Sequence, residues 1–406
     1  MKTYLVGGAV RNALLGRPVR EKDYVVVGSN AEQMAELGFK PVGSDFPVFL
    51  HPETREEYAL ARTERKSGTG YKGFVFHAAA DVTLEQDLLR RDFTINAIAQ
   101  DLETGRLHDY HGGRRDCAAH VLRHVSDAFS EDPLRVLRGA RFASDLYLNV
   151  APATEEMIRA TVAAGELADL GGERIYRELC RGLMGARPQF YISLLRRWGA
   201  LREVLPEVDA LFGVSQSPKS HPEGCAGVHT LLVLGAAADN FWGLPVRLAA
   251  LLHDVGKALT AAQHLPSHPG HEESGARLVA QICRRLKVPR KIRQSLLAAT
   301  AEHGLIHGFA DLNAEQILAL FVRIGALREQ DSAECLLALA SCDHASHPQR
   351  SSWQLHPSWH DFYRLLAAAG SIDGKAVAES ADNPAAAVRE ARLKAIEDGR
   401  SLLSSV

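Results

Sequence analysis

Apolar and polar positions alternate in short runs along the first 110 residues. TYLVG (3–7), DYVVVG (23–28), FPVFLH (46–51), EYALAR (57–62) and HDY (108–110) have the length and β-branched content of strands, and AEQMAELG (31–38) has helical spacing. The stretch RTERKSGTGYKGF (62–74) has no period and is rich in glycine and charge, so a mobile loop is expected there. From about residue 126 the strand signal stops. DPLRVLRGARFASDL (132–146), ATEEMIRATVAAGEL (153–167), GERIYRELCRGLMG (172–185) and QFYISLLRRWGALREVL (189–205) all follow the 3.6-residue period. The proline- and glycine-rich FGVSQSPKSHPEGCAG (212–227) reads as a domain boundary. A histidine-rich, all-helical block follows, from VHTLLVLGAAA (228–238) to AECLLALASCDH (333–344), and two more helices are expected after SHPQRSSWQLHPSW (346–359). No internal repeat is evident. The pattern predicts an α+β protein with a mixed-sheet head over 1–125, a helical neck and body over 126–212, an all-α domain over 226–345 and a helical tail over 346–406.

Bulk composition narrows this picture. At 406 residues the chain holds more than one hydrophobic core, and 46% hydrophobic with 24% charged residues is ordinary for a globular protein. No apolar run approaches the roughly 18 residues of a membrane span, so no membrane partner is expected. The opening MKTYLVGG reads as a strand entering a glycine turn and lacks a small-residue cleavage site, so no secretory leader is expected. Cys117, Cys180, Cys225, Cys283, Cys335 and Cys342 form no C-x-x-C pair and read as idle thiols of a reducing, cytoplasmic compartment. The net charge of −2 argues against a uniformly basic nucleic-acid binder. Local clusters such as LLRRDF, HGGRRD, LRVLRGAR and RRLKVPRKIR can still present a basic stripe to phosphates.

The segment LVGGAVRNALLGRPVREKDYVVVG (5–28) carries the first candidate chemistry. Side chains two apart in a strand share a face, so Glu21 and Asp23 are expected side by side. Convergent carboxylates repel unless a cation lies between them, and hard oxygens suit Mg²⁺ with substrate phosphates completing its shell. Alone, the pair reads as a solvated strand end. Gly7 and Gly8 change that: they stand between a strand and a helix start, where backbone N–H groups can approach a phosphate, and Arg11 on the first turn can reach the same anion.

These residues resemble the head motif of the class II branch of the tRNA nucleotidyltransferase and poly(A) polymerase superfamily. RRDFTINAIA (90–99) is similar to its second motif, EDPLRVLRGARFA (131–143) to its base-recognition motif and GERIYREL (172–179) to its neck helix. With the histidine-rich block added, the chain resembles the bacterial multifunctional CCA-adding enzymes over nearly its whole length. The chain departs from the pattern in having Glu21 where the family usually has Asp, Asn12 where it often has Asp, and Cys117 for the usual Leu of a hinge motif that includes Asp109 and Asp116. The resemblance implies Mg²⁺ on Glu21 and Asp23, and a nucleotide held by Gly8, Arg11, Arg91, Asp132, Arg135, Arg138 and Arg141. Arg91, Arg138 and Arg141 would meet triphosphate and sugar, with Asp92 and Asn96 in support. Partners would be tRNA, CTP and ATP, with the protein a monomer or homodimer.

The base motif has a hydrogen-bonding rationale. Ser130 is expected to cap a helix whose first turn holds Glu131, Asp132 and Pro133. Asp132, Arg135, Arg138 and Arg141 recur every three residues, which on its own describes an exposed charged stripe. The resemblance assigns Asp132 and Arg135 to the incoming base. A carboxylate accepts and a guanidinium donates, and cytosine and adenine each offer an amino donor beside a ring acceptor. Uracil and guanine reverse that order and leave charges unpaired, which supports discrimination of about 10⁴-fold.

LAALLHDVGK (248–257) puts His253 and Asp254 adjacent on an apolar helix, and His229 and Asp343 complete an ordered H…HD…D set. An isolated His-Asp pair is weak evidence, but buried charges need partners, and imidazole with carboxylate suits a transition metal such as Ni²⁺, or Mg²⁺. The set resembles the HD phosphohydrolase superfamily, which implies phosphatase and 2′,3′-cyclic phosphodiesterase activity. His268, His271 and His303 are further ligand candidates. Gly304 follows His303 where related bacterial enzymes tend to have Asp. Two other functions stay open at this point: a poly(A) polymerase, or an HD phosphohydrolase whose N-terminal part only binds RNA.

Overall fold

The computed structural model describes residues 1–42, 48–66, 74–77, 79–346 and 353–403. The chain forms two compact units, Met1–Arg174 with Arg197–Glu203, and Ile175–Arg196 with Val204–Val406.

The first unit is built on β1 (Lys2–Val6), α1 (Gly8–Leu14), β2 (Asp23–Val27), α2 (Ala31–Glu36), β3 (Lys40–Val42), β4 (Val48–Leu50), β5 (Glu57–Leu60), β6 (Thr63–Lys66), β7 (Phe74–His77), α3 (Leu84–Leu89), β8 (Ala99–Asp101), β9 (Leu107–His108), α4 (Gly113–Ala118), β10 (Val121–Leu122), α5 (Leu134–Leu146), β11 (Asn149–Val150) and α6 (Pro152–Ala163). Seven strands make one mixed sheet in the order β3-β4-β5-β2-β1-β8-β9. β2 is central: it pairs antiparallel with β1 and parallel with β5. Its run of valines is continuous because both faces are covered. Val25 packs with Tyr4, Val6 and Leu88 on one side, and Val26 with Met34, Phe49 and Leu60 on the other.

Three local expectations need correction. The flanks of the aperiodic stretch 62–74 are strands, with β6 antiparallel to β7; the aromatic and β-branched FVF of β7 outweighs the glycines around it. The intervening residues 67–73 lie outside the described part. Strands also persist past residue 126, since β11 pairs parallel with β10, and two-residue strands leave no period to read. Third, the helical run 189–205 breaks where Gly199 takes φ 80°, into α8 (Pro188–Arg197) and α9 (Ala200–Val204).

Gly113 is held by space rather than by conformation. A Cβ there would stand 2.1 Å from the Thr94 carbonyl oxygen and 2.7 Å from Ile98. Gly113→Ala is therefore expected to cost about 3 kcal/mol, read as a lower urea midpoint at unchanged slope.

Among the described residues the regular elements of the second unit are helices. α7 (Gly172–Leu183) runs from the first unit into it. α10 (Pro206–Asp209), α11 (Ala226–Asp239), α12 (Leu244–Leu252), α13 (His271–Arg285), α14 (Arg290–His307), α15 (Ala314–Arg323) and α16 (Asp331–Ala345) follow. α14 packs between α13 and α16, and α11 and α12 lie against α16. Among the described residues the tail has three helices where two were expected: α17 (Trp359–Gly370), the short α18 (Gly374–Glu379) and α19 (Pro384–Leu403). Phe362 and Ile396 carry the tail into a core with Ile306, Phe321 and Leu336. All six cysteines are free, four of them buried. No helix among the described residues is long and apolar enough to cross a membrane.

Candidate active sites

The acid pair of the head is arranged differently from the sequence expectation. Asp23 opens β2, but Glu21 precedes the strand in irregular backbone, so the two carboxylates do not alternate along one ladder. The sheet supplies another acid instead. Parallel register sets Glu57 of β5 beside Asp23, a neighbour that only strand pairing could reveal. Desolvation raises the Asp23 carboxyl above its ordinary value; Arg91 pulls it down and Glu21 pushes it further up. A carboxylate crowded by another acid is the electrostatic situation that a divalent cation relieves, so Asp23 and Glu21 fit Mg²⁺ in charge and in donor hardness.

The turn between β1 and α1 faces arginines. Gly7 holds φ 66°, and a Cβ there would lie 3.1 Å from Arg91 Nη1; at Gly8 it would lie 3.5 Å from Arg11 Nη2. Arg11 donates to the side-chain oxygens of Asn96 and Asn12, the latter at 3.0 and 3.1 Å. Asn12 therefore serves to orient Arg11. Burial lowers the Arg11 pKa to about 10 despite nearby Asp92. The guanidinia of Arg11, Arg138 and Arg141 lie 5.0, 5.3 and 4.2 Å from the ring centre of Phe142, so one aromatic ring gathers three cations.

Asp92 anchors this group. It accepts from the Phe93 N–H at 2.8 Å, from Asn96 Nδ2 at 3.0 Å, and from Arg138 through Nε at 2.8 Å and Nη2 at 2.6 Å. Burial opposes its ionisation, but Arg138 and Asn96 outweigh that and hold the carboxyl at about 2. A pKa depressed from 3.8 contributes stability that is complete above the unfolded value and lost as pH falls through the folded one. Asp92→Asn is expected to remove about 2 kcal/mol at pH 7. In urea titrations the gap from wild type should narrow below pH 4 and close only below about pH 2.

Asp132 and Arg135, the residues expected to read the base, are placed separately. Asp132 lies in extended backbone before α5 and accepts from the Leu134 N–H at 3.2 Å. Its ion-pair partner is Arg174, at 3.1 and 3.2 Å. Arg135 donates to the carbonyls of Ala128 at 2.9 Å and Arg90 at 2.6 Å. Ser130 does not cap α5: it donates to the Asp127 carbonyl inside a 3₁₀ turn. Asp109 caps α4 through the N–H groups of Gly113 and Arg114, and buried Asp116 accepts from Thr94 and Arg123.

In the second unit the histidine cluster closes around Asp254. His253 Nδ1 is 3.0 Å from the Ala250 carbonyl, His303 Nδ1 is 3.0 Å from that of Thr300, and His271 Nδ1 is 2.8 Å from that of His268. A carbonyl only accepts, so each Nδ1 carries a proton, and in the neutral ring each Nε2 presents a lone pair. Those Nε2 atoms face one carboxylate: His253 lies 3.2 Å from Asp254 Oδ2, and His271 and His303 lie 3.4 and 3.5 Å from Oδ1. His229 Nε2 stands 3.0 Å from Asp343 Oδ1 and 4.0 Å from Asp254 Oδ2. Lys257 Nζ donates to Asp254 Oδ2 at 2.6 Å. His253 Nε2 and Asp254 Oδ1 are buried without a hydrogen-bond partner. Lone pairs turned on an anion in a buried setting are repulsive unless a cation joins them, so the donor set fits a divalent metal.

Within the protein the cluster's carboxylates are balanced by its own cationic groups. Burial opposes ionising Asp254 and Asp343, but His253 and Lys257 for the first, and His229 and His307 for the second, hold both well below the ordinary carboxylate range. Burial also opposes charging His229, yet Asp343 and Glu223 raise it to about 10.

Of the further ligand candidates, His271 and His303 join the cluster. His268 does not, because Ser215 and Thr260 occupy both its nitrogens. Gly304 admits a neighbour: a Cβ there would meet Glu272 Oε1 at 2.7 Å, so an acid from α13 fills the space beside His303. Sequence reading passed over Arg174, Glu57, Glu272 and the residues Gln216, His221 and Glu223. The last three lie in the stretch taken for a boundary, where no period marks them.

Comparison with known proteins follows the same division. Residues 3–123 match the family described as Poly A polymerase head domain, 148–212 the family described as probable RNA and SrmB-binding site of polymerase A, and 227–341 the HD domain. A multifunctional CCA protein of Dechloromonas aromatica is 50% identical, over 93% of this chain and 92% of that one. Its counterpart from Laribacter hongkongensis is 48% identical over 100% of both. The solved CCA-adding enzyme of Thermotoga maritima complexed with tRNA superposes with a TM-score of 0.62 at 19% identity, covering 99% of this chain and 91% of that one. A likeness at that identity speaks of the fold alone.

Proposed function

The chain belongs to the multifunctional CCA protein family, and from that premise we propose how its two sites divide the work. It is an enzyme that adds and repairs the 3′-terminal CCA of tRNA, using CTP and ATP and releasing pyrophosphate, and its HD domain carries a phosphohydrolase function. The observation that carries this reading is 48% identity to a relative of that name along 100% of both chains.

For the transfer, the 3′-oxygen of tRNA bonds to the α-phosphorus of the bound nucleotide while the bond from that phosphorus to the β-phosphate oxygen breaks. Glu21 and Asp23 would hold Mg²⁺, which supplies Lewis-acid stabilisation of the oxygens gaining charge. Gly8, Arg11 and Arg91 at the β1–α1 turn receive phosphate, and Arg138 and Arg141 neutralise triphosphate and sugar oxygens from α5. Asp132 and Arg135 read the amino edge of cytosine or adenine. In the second unit His229, His253, Asp254 and Asp343 would hold a divalent metal such as Ni²⁺ or Mg²⁺. A metal held there would supply an activated water as nucleophile toward phosphomonoesters and 2′,3′-cyclic phosphates. By function we divide the chain into a catalytic head at 1–125, neck and body at 126–212, HD domain at 226–345 and tail at 346–406, in a cytoplasmic monomer or homodimer.

The test is incubation with tRNA ending before CCA and labelled CTP or ATP. Two C and one A, followed by a stop, supports the reading. A long A tail would show a poly(A) polymerase, and no incorporation would reduce the head to RNA binding beside a phosphohydrolase.

A further inference from the structure

We infer that the segment Val214–Cys225, which precedes the HD match, is a working part of the HD site, with Glu223 the positioning residue for His229. The inference rests on the metal-dependent phosphohydrolase reading of that site. The match to the HD domain begins at residue 227, yet two side chains of this segment reach the cluster and one of its carbonyls holds a histidine beside it. Glu223 Oε1 lies 2.8 Å from His229 Nδ1, and both side chains are buried. Gln216 Oε1 accepts from Lys257 Nζ at 2.6 Å. The Ser215 carbonyl lies 3.0 Å from His268 Nε2, whose own carbonyl faces His271 Nδ1.

The segment is built to stay there. Its ends are tied by the Gln216 N–H to the Gly224 carbonyl at 3.1 Å and the Ala226 N–H to the Val214 carbonyl at 3.0 Å. Gly227 packs so closely on Phe212 that a Cβ would meet the ring at 2.5 Å. A solvated linker needs none of these ties.

Glu223 treats His229 as backbone carbonyls treat His253, His271 and His303. Each ring has an acceptor on Nδ1, leaving Nε2 for a metal. His229 is the exception in using a carboxylate, Glu223, in place of a backbone carbonyl. Such a carboxylate fixes ring orientation and raises ligand basicity, and its loss costs about 10- to 100-fold in metal affinity. Gln216 holds Lys257 against Asp254 in the same manner. Buried Gln216 Nε2 has no hydrogen-bond partner among the described residues, as expected at an edge shared with a ligand rather than in a passive core.

Full-length wild type, Glu223→Ala and Glu223→Gln are stripped of metal and titrated with Ni²⁺ by calorimetry. Hydrolysis of p-nitrophenyl phosphate is measured in parallel, and C addition to tRNA serves as the check of folding. Glu223→Ala should bind Ni²⁺ at least about 10-fold more weakly and lose kcat for hydrolysis with little change in KM. Glu223→Gln should lie between the two, about threefold or more weaker than wild type, because its oxygen still accepts but the charge is gone. If alanine prevents folding, the glutamine variant decides alone. Ni²⁺ affinity within about twofold of wild type in either folded variant overturns the inference and leaves the phosphohydrolase reading standing. Wild type that takes up no divalent cation overturns both.

Discussion

Replacing Asp23 by alanine is expected to lower kcat for C addition by more than about 10²-fold, roughly 2.7 kcal/mol of transition-state stabilisation. Asp23 is placed by the most buried strand of the sheet, in register with Val6 on one side and Glu57 on the other. Its carboxylate cannot be replaced by a small movement of a neighbour, because the strand that carries it is pinned on both faces. Asp23→Asn keeps the shape and removes the charge, and should lose nearly as much if the carboxylate acts through a cation. Glu21 stands outside the strand, and its alanine variant should lose less. Single-turnover incorporation of labelled CTP measures all three, and a wild-type rate in Asp23→Ala would falsify the assignment.

Asp254→Asn is expected to reduce phosphohydrolase kcat by more than about 10²-fold and to abolish retention of a divalent metal through dialysis. Three imidazole nitrogens and Lys257 converge on this one side chain. Asparagine is the better probe than alanine, since removing the side chain would strand the Lys257 ammonium in a buried setting at a cost of about 3–5 kcal/mol. C addition should continue at the wild-type rate, because the residue belongs to the other unit. Chelation gives the same separation without mutation. Protein stripped with EDTA and returned to Mg²⁺ alone should add C, and its hydrolase activity should return only with the metal the HD site prefers. Elemental analysis of the dialysed protein supplies the independent reading.

The sequence made the class of fold and both centres legible because each rests on a short continuous signal. LVGGAVR is a strand, a turn and a helix start in order, and LLHDVGK marks an apolar helix ending in charge. It failed where contacts come from far along the chain. Arg138 meets Asp92 across 46 positions and Arg174 meets Asp132 across 42. No periodicity records such pairs. It also failed where structure is irregular. Glu223 and Gln216 sit among prolines, glycines and serines that looked like a linker, and their burial follows only from the ties that close the segment. The alternation argument for Glu21 assumed a strand two residues longer than the one that forms.

The ion pair between Asp132 and Arg174 bears on how nucleotides gain entry. On the proposed reading, the amino edge of cytosine or adenine would take up hydrogen bonds at a carboxylate already satisfied by a guanidinium. The resting protein thus wears a stand-in for its own ligand. On that reading, affinity for CTP would report a base amino group competing with Arg174 for Asp132 rather than a wholly new attraction.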